Sequence, residues 1–182
     1  MVLLFLAEGF EEIEALTPVD ILRRAGFDVK TAAVGGKKVV VGSHGIPVTA
    51  DIAAEEALAM TDELEAVILP GGMPGAKNLD ADSSVDQIVR TAAEKGILLA
   101  AICAAPLVLG RRGLLAGRRA TCYPGFEKEL SGATVTGGRT EIDGPFVTGC
   151  GMGAATEFAL ALLSTMKGEE AAQQMRASVL AR

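Results

Sequence analysis

The chain of 182 residues has no tryptophan, one tyrosine, one histidine and three cysteines. Each scarcity argues against a class of chemistry. A single histidine, His44, cannot supply a histidine-ligated zinc site, and the three cysteines stand far apart with no Cys-x-x-Cys pair. So few cysteines, odd in number, make no disulfide framework. No apolar run approaches the roughly 20 residues that span a bilayer. The amino terminus opens on the strand-like Val2-Leu3-Leu4-Phe5-Leu6, without a basic leader region or a small-residue cleavage site. A soluble cytoplasmic protein with no membrane partner is the expectation. Positive charge is also short: 17 basic residues against 23 acidic ones leave a net charge of -6. This argues against nucleic acid as a partner. Arg111, Arg112, Arg118 and Arg119 cluster locally, but they read as a solvated helix end and loop. Gly149-Cys150-Gly151-Met152-Gly153 is glycine-rich yet lacks the spacing of a dinucleotide fingerprint. Neither a cofactor nor a metal is expected.

What remains is apolar and regularly punctuated. Hydrophobic residues make up 49% and charged residues 22% of the chain, enough apolar material for one core in a single domain over residues 1–182. Short β-type runs alternate with helical patterns, which predicts an α/β sandwich with a mainly parallel sheet. Strands are expected over 2–7, 27–34, 65–69, the segment into Cys103, 119–122 and 146–149. Residues 38–41 and 46–49, joined by Ser43-His44-Gly45, predict a small antiparallel excursion. Helices are expected after residue 7 through Ala25, and over 53–60, 84–95, 154–166 and 169–179. In open parallel sheets the functional crevice lies beyond the carboxyl ends of the strands. Four segments fall at such ends: Ala7–Glu14, Pro70–Pro74, Cys103–Pro106 and Cys150–Gly153.

Cys103 ends the apolar strand Leu98-Leu99-Ala100-Ala101-Ile102, and a helical segment starts within two or three residues. A side chain on such an elbow points out of the sheet and faces the positive end of the helix dipole, which predicts a reactive thiolate. A small buried hydrophobe is the alternative. Pro18 crowds the Glu14 carbonyl, so the first helix either starts at Thr17 or is irregular near Glu14. Beside a thiolate, the Glu14 carboxyl makes sense as a proton donor or shuttle. A solvated acidic face formed with Glu11 and Glu12 is the plainer reading. Gly71 and Gly72 leave room for backbone N–H donors to an oxyanion. No histidine follows Cys103, so a cysteine hydrolase with an internal histidine base is not expected.

With these residues assembled, the chain resembles the ThiJ/PfpI superfamily, and within it the DJ-one/ThiJ branch. The resemblance rests on Ala7-Glu8-Gly9-Phe10-Glu11-Glu12-Ile13-Glu14 with Pro18-Val19-Asp20. It extends over Val67-Ile68-Leu69-Pro70-Gly71-Gly72, Gly75-Ala76-Lys77-Asn78-Leu79, Ala100-Ala101-Ile102-Cys103-Ala104-Ala105-Pro106 and Thr156-Glu157-Phe158-Ala159-Leu160. It implies a flavodoxin-like three-layer sandwich and a homodimer. Cys103 would be hydrogen-bonded to a protonated Glu14 and surrounded by Gly71, Gly72 and the N–H of Ala104. It further implies a stress-response protein: a glutathione-independent glyoxalase or deglycase acting on small α-oxoaldehydes, or a redox-sensing thiol or chaperone. Cys103 would then be the oxidised residue, with a small aldehyde or an oxidant as its partner. A peptidase or amidase, as in more distant relatives, is the weaker implication. The chain departs from the branch at Tyr123, where many relatives carry histidine, and at His44 and Cys150, where some carry basic residues. Tyr123, His44, Cys122 and Cys150 are accessory candidates. Either Cys122 or Cys150 is a candidate resolving thiol, although both also read as small core hydrophobes.

Overall fold

The computed structural model describes residues 1–181. In chain order it forms β1 (Val2–Leu6), α1 (Glu12–Arg24), β2 (Val29–Ala33), β3 (Val39–Val41), β4 (Pro47–Thr49), β5 (Ile52–Ala53) and α2 (Ala54–Ala57). There follow β6 (Ala66–Leu69), α3 (Gly75–Ala81), α4 (Ser83–Glu94), β7 (Leu98–Ile102), α5 (Pro106–Arg111), β8 (Arg119–Ala120) and β9 (Thr134–Val135). The chain closes with β10 (Thr140–Asp143), β11 (Phe146–Gly149), α6 (Ala155–Lys167) and α7 (Glu169–Ser178).

Seven strands form one sheet in the order β10-β11-β7-β6-β1-β2-β5, parallel except for β10, which runs antiparallel to β11. Buried strand residues alternate between its faces. Leu3, Phe5, Val67, Leu69, Leu99 and Ala101 face a core with α2 to α5. Leu4, Leu6, Ile68, Ala100, Ile102 and Val147 face a second core with α1, α6 and α7. This is the flavodoxin-like three-layer sandwich expected from the sequence. The β3–β4 hairpin is the expected antiparallel excursion and forms its own two-stranded sheet.

Several details differ from the sequence expectation. Of the two alternatives for α1, the start at Thr17 does not occur: the helix starts at Glu12 and runs through Pro18. Glu11 accounts for this: its carboxylate caps the helix by accepting the Glu14 N–H at 2.7 Å. Residues 119–120 pair with β9 in a separate small parallel sheet rather than joining the central one. Helix α3 and strand β10 have only weak sequence signals. Strand β10 (Thr140-Glu141-Ile142-Asp143) is a half-exposed edge with two acidic residues, so no apolar run marks it.

On the α3–α5 side, a nearly buried guanidinium ties three helices together. Arg112 Nη1 donates to Asp80 Oδ1 at 2.7 Å and to the Val108 carbonyl at 2.8 Å, and Nε donates to Asp86 Oδ1 at 2.8 Å. Arg111 adds bonds to Asp80 and Glu129. The arginine cluster is thus partly structural rather than merely solvated.

Candidate functional site

Strands β11, β7, β6 and β1 are neighbours in the sheet, so their carboxyl ends open onto one crevice. The four segments singled out in the sequence all leave from those ends. Cys103 directly follows β7 and has φ of 65°, a left-handed conformation rare for a side-chain-bearing residue. Both of its peptide groups are held: its N–H donates to the Gly149 carbonyl at 2.9 Å, and its carbonyl accepts the Tyr123 N–H at 2.8 Å. The elbow is therefore anchored from two sides.

Glu14 lies on the first turn of α1 and is 1% exposed. Its Oε2 accepts the Gly71 N–H at 2.9 Å in a buried bond. Oε1 is buried with no partner at full hydrogen-bond geometry. Burial raises the Glu14 pKa to about 7, the charge of Glu11 adds to this, and the Cys103 thiol and the N–H groups of Gly71 and Met152 oppose it. The Cys103 thiol is pushed up to about 12, chiefly by burial and then by the Glu14 charge, while the N–H groups of Gly72 and Ala104 pull it down. The freely ionised thiolate expected from the elbow is thus not the resting form. Burial outweighs the dipole of α5, which has only six residues. Two acids packed together give up their protons in two well-separated steps, so the pair holds two protons below about pH 7 and a single one above it.

The glycines are demanded by this packing. A Cβ on Gly71 would lie 2.6 Å from Glu14 Oε2 and 2.7 Å from Cys103 Cβ. Gly72 has φ of 88°, and a Cβ there would sit 2.4 Å from the Glu11 nitrogen. The implied ring of donors needs one correction. Gly71 touches the site, but its N–H is committed to Glu14, which leaves the N–H groups of Gly72 and Ala104 facing the sulfur.

The accessory candidates separate. Tyr123 meets the elbow through its main chain, and its ring lies beside Gly151. The His44 ring donates from Nδ1 to Glu12 Oε2 at 2.9 Å, not to Cys103, and the His44 N–H donates to Oε1 at 2.8 Å. The Glu12 hydrogen bond and charge raise the His44 pKa. Burial of Glu12 favours its neutral form, but bonds from His44 and Ile46 outweigh it and bring its pKa to about 2. Glu12 thereby pins the β3–β4 hairpin onto α1. One ligand atom each from Glu11, Glu12 and His44 lies within 4.8 Å of the others, but Glu11 caps α1 and Glu12 is saturated by the hairpin. These donors are committed to the fold and do not fit a resident ion. Cys122 is buried in the α2–α5 core, and burial lifts its thiol to about 11. Cys150 is half-buried at the end of β11. Sequence reasoning missed the capping role of Glu11 and the N–H of Met152, although the glycine-rich turn around Met152 was a visible signal.

A cavity of about 430 Å³ lies against Leu64, Leu98 and Pro145, at the opposite end of the sheet, and is lined by no cysteine. No helix among the described residues is long and apolar enough to cross a membrane.

Comparison with known proteins gives the chain a family. The family model described as DJ-1/PfpI family matches residues 1–165. Protein DJ-1 homolog B of Arabidopsis thaliana is 39% identical over 184 residues, covering all of this chain and 41% of that protein. The chain spans less than half the length of each of the two Arabidopsis relatives it matches. A Pyrococcus abyssi protein named as a deglycase is 33% identical over 149 residues, covering 81% of this chain and 87% of that protein. Among solved structures, oxidized DJ-1 of Toxoplasma gondii superposes with a TM-score of 0.93 at 36% identity, over 98% of this chain and 97% of that one. The family model over residues 1–165, with these relatives, establishes that the chain belongs to the DJ-1/PfpI family.

Proposed function

We propose that the Glu14–Cys103 pair converts small α-oxoaldehydes such as methylglyoxal to 2-hydroxy acids without glutathione. The observation that carries this reading is the buried Glu14 carboxyl, with one oxygen unpartnered, packed against the thiol of a strained elbow. The reacting form is the one that has lost the first proton, which the pair gives up at about pH 7. The sulfur attacks the aldehyde carbon, forming the C–S bond, while the Glu14 carboxylate takes the thiol proton. The oxyanion that forms faces the N–H groups of Gly72 and Ala104 and is protonated by Glu14, giving a hemithioacetal. Glu14 next removes the hydrogen on that carbon as a proton and returns it to the neighbouring carbonyl carbon, while the hydroxyl proton passes from the first carbon's oxygen to the second's, leaving a thioester and a new hydroxyl group. The aldehyde carbon is oxidised and its neighbour reduced, so no external oxidant is needed. Water then cleaves the resulting thioester, releasing the 2-hydroxy acid and the free thiol. The relative named as a deglycase is consistent with this reading. A peptidase reading lacks its base, because the one histidine ring is bonded to Glu12.

The test is lactate formation from methylglyoxal by the purified protein. Cys103→Ala is expected to abolish it, and a wild-type rate no higher than that of the variant would sink the proposal.

The same reading takes the protein as a homodimer. Ile13 and Leu16 on α1 and Ile46 on the hairpin pinned to it are 49%, 38% and 52% exposed, an apolar patch next to the site. Sedimentation equilibrium is expected to give twice the chain mass for wild type and a shift toward monomer for Leu16→Asp. A monomeric wild type would refute the assignment.

A further inference from the structure

The strand register brings a second thiol to the elbow. Strands β7 and β11 are parallel, with Ile102 opposite Gly149. Within this ladder the Leu99 N–H bonds the carbonyl of Pro145, the residue before its partner Phe146. The Cys103 N–H bonds the Gly149 carbonyl in the same manner, so the ladder continues one step and Cys150 is the residue opposite Cys103. Adjacent strands are about 4.8 Å apart, within the Cα separation that a disulfide spans. Both cysteines are half-buried and reduced. Cys122 also lies near the elbow, but it is 5% exposed, packed among core side chains, and its thiol is held up by burial.

We propose that Cys150 is the resolving thiol of Cys103, closing an intrachain Cys103–Cys150 disulfide after oxidation by a hydroperoxide. The proposal rests on Cys103 being the reactive thiol of the function proposed above. The Cys103 sulfur attacks the peroxide, the O–O bond breaks, and a sulfenic acid and one molecule of water (or alcohol) result. The Cys150 sulfur then attacks the sulfenic sulfur, forming the S–S bond, and the hydroxyl leaves with the Cys150 proton as water. The peroxide is reduced by two electrons, which the two thiols supply. Capture by Cys150 would stop the elbow cysteine short of irreversible sulfinic acid and allow thiol reductants to regenerate it.

The sequence makes the test clean, because trypsin separates the three cysteines into residues 96–111, 120–128 and 140–167. The purified protein is treated with an equimolar amount of hydrogen peroxide, free thiols are blocked, and the non-reduced digest is read by mass spectrometry. The expected product is the 96–111 peptide linked to the 140–167 peptide, from protein that runs as a single chain on a non-reducing gel. In Cys150→Ser and Cys150→Ala, each checked for folding by circular dichroism, the linked pair should vanish and Cys103 should accumulate as sulfinic acid. A link to the 120–128 peptide, a link between chains, or wild-type Cys103 passing to sulfinic acid while Cys150 stays free would each overturn the proposal and leave Cys103 reactive. A Cys103 inert to both peroxide and iodoacetamide would overturn the proposed function as well.

Discussion

Glu14→Gln is expected to lower methylglyoxal turnover by about 10²–10⁴-fold, the usual contribution of a positioned proton carrier, while making the protein more stable above neutral pH. Glutamine keeps the shape and can still accept the Gly71 N–H, but it takes up no proton from the thiol or the hemithioacetal. In wild type the active form has lost the first proton of the pair, so kcat/KM should rise through about pH 7, where Glu14 titrates, and then stay level. The variant should lose that rise along with the rate. The stability effect has the opposite sign. Glu14 has a pKa of about 7 in the fold against an ordinary 4.5. Its protonated form therefore favours the folded state fully below 4.5, and that contribution is lost as pH rises through 7. The displacement amounts to about 3 kcal/mol. Relative to wild type, Glu14→Gln should gain up to about 3 kcal/mol at pH 8 and little at pH 4. Denaturation at the two pH values, set beside lactate assays, checks both halves. A variant that gains nothing at pH 8 would show that the carboxyl is not held neutral by burial. One that retains wild-type turnover would show that it carries no proton in the reaction.

Arg112→Ala should cost about 2–4 kcal/mol. The Arg112 side chain is 6% exposed and bonds two carboxylates and two main-chain carbonyls across α3, α4 and α5. Removing it strands these acceptors. The loss stays below that of a fully buried pair because Asp80 keeps Arg111 and Asp86 keeps Arg90. Arg112→Lys should recover only part of it, since a single ammonium cannot reproduce the planar fork. Urea unfolding with an unchanged denaturant slope is the measurement. A midpoint within error of wild type would show that the network contributes nothing net.

The sheet was legible because its strands are buried on both faces. Val2–Leu6, Ala66–Leu69 and Leu98–Ile102 are continuous apolar runs, and each ends at a glycine-rich or elbow segment. The half-exposed β10 was not, since an edge strand with acidic residues carries no such run. Helix α1 shows the same limit. Pro18 leaves a start at Thr17 and an earlier start both open when only local rules are weighed, and the Glu11 cap goes with the earlier start, which buries Glu14 and Ala15.

The site divides in the same way. Residue types and order alone singled out Cys103 and, through the single histidine, disfavoured a histidine-based triad; Glu14 stood beside a plainer reading as part of a solvated acidic face until the family resemblance paired it with Cys103. The state of the thiol was decided only by tertiary structure. Local geometry predicts a thiolate, but enclosing the sulfur beside a second acid removes solvent from both charges, so the pair keeps one proton and acts as a unit. Tertiary structure likewise committed the Gly71 N–H to Glu14 and set Cys150 across from Cys103. The sequence offered Cys150 only as one of two candidates, because each pairing joins residues far apart in the chain, Gly71 with Glu14 through the packing of α1 on the sheet and Cys150 with Cys103 through the β7–β11 register.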